Sequence, residues 1–223
     1  MNTEMNTVAR LLGAVQLAVI AGAMVSERLL ASVVGTGTIS EILVAVSKNL
    51  ARVRISNLVA LLTSVAIIVL GVMFYVAFHE QYKIVALVAL VFFVAEGITL
   101  AVGKMGAYAL VPLSQDFVGA GAPEASHFQT LGSFLYYGLD RTGYNVHMLF
   151  FCLGGILWYY LLYASSYVPR ALSIWGLAAV CLLTIPVLLV LVNRNWTYLD
   201  ILALPYAPFE LVLGLWLVIK GFG

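Results

Sequence analysis

The stretch ISNLVALLTSVAIIVLGVMFYVAFHEQYKIVALVALVFFVAEGITLAVG, residues 55–103, contains two long apolar runs separated by the short polar segment HEQYK at residues 79–83. Each run is close to the roughly 20 residues that a helix needs to cross the hydrocarbon core of a membrane. A transmembrane β-strand would instead alternate polar and apolar residues over about ten positions. The stretch therefore predicts two membrane-spanning helices joined by a tight turn.

The composition of the whole chain agrees with this class. Hydrophobic residues make up 63% of the 223 residues and charged residues only 9%, whereas about a quarter of the residues in a soluble domain are charged. A net charge of +1 argues against nucleic acid as a partner, and no polybasic tract marks an anionic lipid surface. We predict an all-helical, multi-pass protein of the cell membrane whose main partner is the lipid bilayer.

The same reading predicts one transmembrane domain, residues 1–223, with six spans. Lengths of about 20 apolar residues place them at residues 8–33, 52–78, 83–112, 139–164, 168–192 and 198–220. The loop 113–138 ends in a segment where Phe128, Leu131 and Leu135 recur at helical spacing, which predicts a short interfacial helix before the fourth span. The distribution of Lys and Arg over the loops leaves the orientation in the membrane open.

Most polar groups within the spans lie toward one face of the membrane, the face that carries the long loops 34–51 and 113–138. A charge at the centre of a spanning helix costs about 2.5–3.5 kcal/mol, so such residues are expected to turn inward. We therefore predict a polar recess that opens toward this face and binds a ligand. Its predicted lining residues are Glu27, Arg54, Asn57, Glu96, Lys104, Asp140, Tyr144, His147 and Glu210.

Helical rise suggests which of these charges pair. Lys104 is expected to pair with Glu210 or Asp140, and Glu27 with Arg28 or Arg54. Pro205 and Pro208 precede Glu210, and prolines beside a buried carboxylate predict a bent or interrupted helix, as at transporter sites. A purely structural role is the alternative, because polar residues near helix ends also cap helices, extend toward the interface or hold a bundle together.

Two segments carry a resemblance to a known family. They are GYNVHMLFFCLGGILWYYLLYASSYVPRALSIWGLAAV, residues 143–180, and PFELVLGLWLVIKGF, residues 208–222. The chain resembles the bacterial six-span membrane proteins grouped as domain of unknown function family 4386. The residues on that pattern are Gly143, Tyr144, Phe150, Phe151, Pro169, Arg170, Glu210, Trp216, Lys220 and Gly221. Cys152 replaces a glycine and Asp140 a frequent histidine of the family. The resemblance implies the bacterial inner membrane and assigns no activity.

Three functional hypotheses follow. The first is the binding or transport of a small ligand, lipid or ion in the polar recess. The second is a structural subunit that packs against a membrane protein partner. The third is an intramembrane enzyme that uses a His/Glu acid–base pair, although no HExxH, GxSxG or paired HxxxH motif is present. No motif points to a metal site or to a particular cofactor.

Overall fold

The computed structural model describes residues 3–124, 126–193 and 201–223, and this part of the chain is helical without any β-strand. The all-helical class predicted from the sequence is therefore confirmed. Residues 198–200 of the predicted sixth span lie outside the described residues. The helices are α1 (Thr3–Val34), α2 (Ile39–Lys48), α3 (Leu50–Gly119), α4 (His127–Ser133), a π-helix (Phe134–Arg141), α5 (Thr142–Ser165), α6 (Arg170–Val192) and α7 (Tyr206–Lys220).

Long apolar helices identify the chain as a membrane-embedded protein. Five segments within the described residues are long and apolar enough to cross a membrane. Their lengths range from 20 to 70 residues, against the roughly 20 residues that one crossing requires. These segments are Met5–Val34, Leu50–Gly119, His127–Ser165, Arg170–Val192 and Ile201–Lys220.

The longest helix, α3, contains a sharp turn. Its 70 residues would extend for roughly 105 Å if straight, about three times the thickness of the hydrocarbon core. The backbone leaves the helical conformation at Tyr82, where φ is −134° and ψ is 45°. Asn49 and Phe117, at opposite ends of α3, line the same groove. The chain therefore reverses direction within α3, as the polar segment HEQYK predicts.

The chain divides into two compact units. The larger unit consists of Met1–Ile20, Val65–Gly97 and Asn145–Gly223, and the smaller unit consists of Ala21–Ser64 and Ile98–Tyr144.

Aromatic packing forms the core of the larger unit. Trp158 has no exposed surface, stacks on Phe74 with ring centroids 4.6 Å apart and meets Phe93 edge-on at 5.9 Å. A Cβ atom at Gly154 would lie 2.6 Å from the Phe93 ring, so only glycine fits there without a shift of that ring. α5 thus lies directly against the second half of α3.

The smaller unit contains a helix that the sequence analysis treated as loop. α2 begins after Thr38, whose hydroxyl accepts a hydrogen bond from the Glu41 backbone N–H while the Glu41 carboxylate accepts one from the Thr38 N–H. This reciprocal pair is a capping box, which satisfies the first backbone donors of a helix. Ile42 and Val46 are buried and anchor α2 in the core of this unit.

The segment that leads into the predicted fourth span is also helical. α4, the π-helix and α5 follow one another without a break from His127 to Ser165, so the predicted short helix continues into the span, and its place at the membrane interface stays a prediction. The π-helical turn lies against α3, because a Cβ at Gly106 would come within 2.6 Å of the Leu135 carbonyl oxygen. A Cβ at Gly143 would lie 2.7 Å from Gly103 Cα. The glycines at positions 103, 106 and 143 allow this backbone-to-backbone contact.

Candidate functional site

The first group of predicted site residues is a cluster of four charges in the smaller unit. Asp140 accepts a hydrogen bond from Lys104 Nζ at 2.8 Å, and its other oxygen lies 2.8 Å from Arg141 Nη2. Glu27 lies 3.2 Å from Arg141 Nη1 and 3.8 Å from Lys104 Nζ. Lys104 and Asp140 are each only 1% exposed. We call these residues the four-charge cluster; its two cations balance its two carboxylates.

Local helix geometry positions this cluster. Asp140 and Arg141 are the last residues of the π-helix, and π-helical turns occur frequently at functional sites. The Arg141 guanidinium lies 5.6 Å from the Tyr136 ring centroid and 5.8 Å from that of Tyr144, within the range of cation–π attraction. The sequence analysis placed Tyr144 in the site but not Arg141. Arg141 could have been predicted as a site residue because it lies three residues before Tyr144, a spacing that puts both side chains on the same helical face.

The pairing of charges decides between the alternatives that the sequence left open. Lys104 pairs with Asp140, which was one of its two expected partners. Glu27 pairs with Arg141 and Lys104, so the expected pair with Arg28 or Arg54 was wrong. Both of those arginines are exposed.

Asn57 is the most deeply buried polar residue among those predicted for the site. Its side chain is 0% exposed, and neither its amide nitrogen nor its amide oxygen has a hydrogen-bond partner. The neighbouring Ser56 hydroxyl donates to the Ser26 backbone carbonyl at 2.8 Å, which holds α3 against α1 at this level. Asn57 thus lies in the helix contact, without a described contact to the four-charge cluster.

A second group of predicted residues surrounds a cavity in the larger unit. The cavity is largely enclosed and has a volume of about 20 Å³, slightly more than the roughly 10–15 Å³ that one water molecule needs. Its polar lining residues are Gln16, Glu96, Tyr159 and Glu210, and we call it the acidic cavity. Its apolar walls are Val19, Ile67, Leu70, Phe74, Phe93, Phe151 and Trp158.

A chain of hydrogen bonds links Glu210 to Tyr159, another lining residue of the acidic cavity, through Tyr206. The Tyr206 hydroxyl donates to Glu210 Oε1 at 3.0 Å and is also hydrogen-bonded to the Tyr159 hydroxyl. Since Tyr206 has one hydroxyl proton and gives it to Glu210, Tyr159 is the donor in that second bond. The sequence analysis missed both tyrosines. Tyr206 precedes Glu210 by four residues, the spacing of neighbours on one helix face.

The remaining polar groups of the acidic cavity are mainly acceptors. Gln16 Nε2 donates to the Glu210 backbone carbonyl at 3.4 Å, whereas the buried Gln16 Oε1 has no hydrogen-bond donor. Glu96 is 2% exposed, and its Oε1 lies 3.8 Å from His147 Nδ1. No lysine or arginine is among the described residues that line this cavity. Unlike the four-charge cluster, the cavity contains carboxylates without an equal number of fixed cations.

The prolines before Glu210 lie where the predicted sixth span is interrupted. α7 begins at Tyr206, with Pro205 as its N-cap and Pro208 in its first turn. Backbone N–H groups in the first turn have no acceptor within the helix, so proline is tolerated there without a kink. The predicted span is interrupted just before Glu210, as expected, because residues 201–203 form a 3₁₀ turn and residues 204–205 a turn. α7 itself runs unbroken from Tyr206 to Lys220, so the prolines fix where it starts.

The long apolar helices and the buried charged groups together define a polytopic helical membrane protein. The chain belongs to the family described as "Domain of unknown function (DUF4386)", which matches residues 11–221. The family resemblance seen in the sequence is thus confirmed over nearly the whole chain. Comparison with curated proteins and with solved structures finds no match. Among the described residues, no group of three or more His, Cys, Asp or Glu side chains could hold a metal ion.

Proposed function

We propose that this protein binds one small cationic ligand, a proton or a monovalent cation, in the acidic cavity. The observation that carries the proposal is the pair of carboxylates, Glu96 and Glu210, around an enclosed space of about 20 Å³ whose described lining residues include no Lys or Arg. Ionised carboxylates away from water are costly unless they are paired or protonated. A cation or a proton in the cavity would add to the contacts that Glu96 makes with His147 and Glu210 with Tyr206.

The hydrogen-bonding groups favour the same ligand class. Gln16 Oε1 is a buried acceptor that lacks a donor, while the hydroxyl protons of Tyr159 and Tyr206 are used in the chain to Glu210. Such a lining suits a ligand that brings positive charge or protons. His147 beside Glu96 is a suitable exchange partner for a proton, because histidine changes charge near neutral pH.

The size of the cavity argues against the enzyme hypothesis. A space that holds about one water molecule leaves no room for an organic substrate beside Glu96 and Glu210. The four-charge cluster, by contrast, is electrically balanced and hydrogen-bonded within itself, which is the pattern of a structural lock. Binding of a small ion is therefore the function that we prefer.

Carboxamide variants test the proposal. If the ligand is a metal cation, we expect Li⁺ or Na⁺, but not bulky choline, to raise the unfolding temperature of the purified protein. If the ligand is a proton, we expect infrared spectra of the purified protein to show the band of a protonated carboxyl group. At a cation concentration of about 100 times the dissociation constant, binding should raise the free energy of unfolding by roughly 2.7 kcal/mol. Glu96→Gln and Glu210→Gln should each abolish the cation effect or remove the band.

Glu80→Gln is the matched control for these variants. Glu80 is an exposed carboxylate in the larger unit and does not line the acidic cavity, so its change should leave either signal intact. Absence of both signals in the unmodified protein, or equal losses in all three variants, would refute the proposal.

We also propose that the chain crosses the bilayer six times, in the bacterial inner membrane that the family resemblance implies. The reversal within α3 gives this helix two crossings, and each of the other four apolar segments gives one. One added cysteine at position 48 or 124, in a Cys181→Ser background whose remaining Cys152 is buried, should then react with an impermeant thiol reagent from the same side for both positions. Labelling from opposite sides would contradict the hairpin.

A further inference from the structure

The smaller unit contains an open groove that the acidic cavity does not involve. It has a volume of about 390 Å³ and is lined by Arg54, Leu58, Tyr108, Val111 and Pro112, residues from both halves of α3. Leu58 is 52% exposed and Tyr108 37% exposed, so the groove is accessible from the outer surface of this unit. Apolar groups form most of its surface, and among the described lining residues Arg54 alone is charged.

Arg54 lies near the start of α3, one of the helices long and apolar enough to cross a membrane. It is the fifth residue of α3, which begins at Leu50, and is therefore about 6 Å from the start of this membrane-spanning helix. Arginine near a helix end can extend its guanidinium to the interface while its methylene groups stay in the apolar region. Leu58, one turn further along, lies toward the hydrocarbon core.

Arg54 is available to bind an anion. Three described carboxylates of this unit have other partners: Glu27 and Asp140 belong to the four-charge cluster, and Glu41 caps α2. Asp116 and Glu124 are exposed carboxylates of the same unit, and neither lines the groove. No ion pair is recorded for Arg54 among the described residues, and the residue is exposed. A guanidinium on a wall of an apolar groove suits a phosphate, which it can bind through two hydrogen bonds.

Pro112 adds a backbone acceptor to the groove. Proline has no N–H, so Pro112 cannot donate the usual helical hydrogen bond to the carbonyl of Tyr108, four residues earlier. Both residues line the groove. A headgroup hydroxyl can donate to that carbonyl while the phosphate lies on Arg54.

We propose that this groove is a binding site for an anionic phospholipid with a hydroxyl-bearing headgroup. The phosphate contacts Arg54, the headgroup extends toward Pro112, and one acyl chain passes along Leu58. Charge complementarity and the depth of Arg54 favour this occupant over a helix of a partner protein, which would place apolar side chains against an uncompensated guanidinium.

The test is lipid binding to the purified full-length protein, measured by native mass spectrometry with phosphatidylglycerol and with phosphatidylcholine of the same acyl chains. We expect the unmodified protein to prefer phosphatidylglycerol. Arg54→Gln should reduce phosphatidylglycerol binding by about tenfold, since a charge-assisted hydrogen bond contributes roughly that factor. Arg52→Gln is the matched control, because Arg52 is also exposed but does not line the groove, and it should reduce binding less than twofold.

A second variant tests the groove itself. Leu58→Trp keeps an apolar side chain but fills the path of the acyl chain, and should weaken the binding of both lipids. Equal binding of the two lipids by the unmodified protein would overturn the proposal. So would equal losses in Arg54→Gln and Arg52→Gln, since these would indicate general attraction to a basic helix end.

Discussion

Replacing Asp140 with asparagine is expected to lower the free energy of unfolding by about 3–5 kcal/mol, the cost of breaking a buried ion pair by removing one partner. The Asp140 carboxylate lies 2.8 Å from Lys104 Nζ and 2.8 Å from Arg141 Nη2. Lys104 is 1% exposed, so water cannot replace the lost carboxylate charge. An asparagine oxygen could still accept a hydrogen bond, but it would leave a net positive charge in the four-charge cluster.

Asp116→Asn provides the matched control, since Asp116 is an exposed carboxylate of the same unit and should change stability by less than about 0.5 kcal/mol. Unfolding by sodium dodecyl sulfate in mixed micelles measures both variants. Lys104→Met should cost much less in the Asp140→Asn background than in the native protein, because the two residues act as a pair. Similar losses for Asp140→Asn and Asp116→Asn, or additive losses in the double variant, would show that the ion pair does not stabilise the fold.

Much of the fold follows from the sequence because the membrane imposes a simple rule. Every backbone polar group in lipid needs an internal partner, so a long apolar run implies a helix. The same rule does not apply to the segment from residue 34 to 51, which was read as loop by length alone. Its helix α2 depends on the capping pair Thr38 and Glu41 and on buried Ile42, which are local signals typical of soluble helices.

The contacts within the site were harder to predict than the depth of its residues. Helical rise correctly placed Lys104 within reach of Asp140, but the choice of partner for Glu27 depends on helix rotation. That rotation is set by close contacts such as Gly103 against Gly143, which no count along the chain provides. The depth of charged residues does not predict Tyr159 and Tyr206, because tyrosine is uncharged. Their hydroxyls nevertheless form the chain to Glu210.

The ligand-binding role of the predicted site residues stays a prediction, although their grouping now has a physical meaning. Glu27, Lys104, Asp140 and Arg141 neutralise one another, which fits the stabilising role tested above. Glu96 and Glu210 line a space without a fixed lysine or arginine. Charged residues of the membrane helices thus fall into separate groups: a balanced cluster, two carboxylates at the acidic cavity, on which the proposed cation site rests, and Arg54 in the groove of the smaller unit.

Truncating Trp158 to alanine should lower the free energy of unfolding of the protein by about 3–5 kcal/mol, the usual range for removing a buried large aromatic side chain. Trp158 has no exposed surface and contacts the rings of Phe74 and Phe93. Between membrane helices, association depends on close packing more than on the exclusion of water. The loss therefore comes mainly from ring contacts that the backbone, held by neighbouring helices, cannot restore.

Trp175→Ala is the comparison variant, because Trp175 lies in the same unit but is 37% exposed and meets the Phe209 ring edge-on at 5.8 Å. Its loss should be about 1 kcal/mol, in the range typical of single substitutions. Trp158→Phe, which preserves a ring against Phe74, should fall between the two alanine variants. If unfolding in mixed micelles gave the same loss for Trp158→Ala and Trp175→Ala, burial within the aromatic core would not determine stability. Lipid contact would then have to contribute as much as the Phe74 and Phe93 rings.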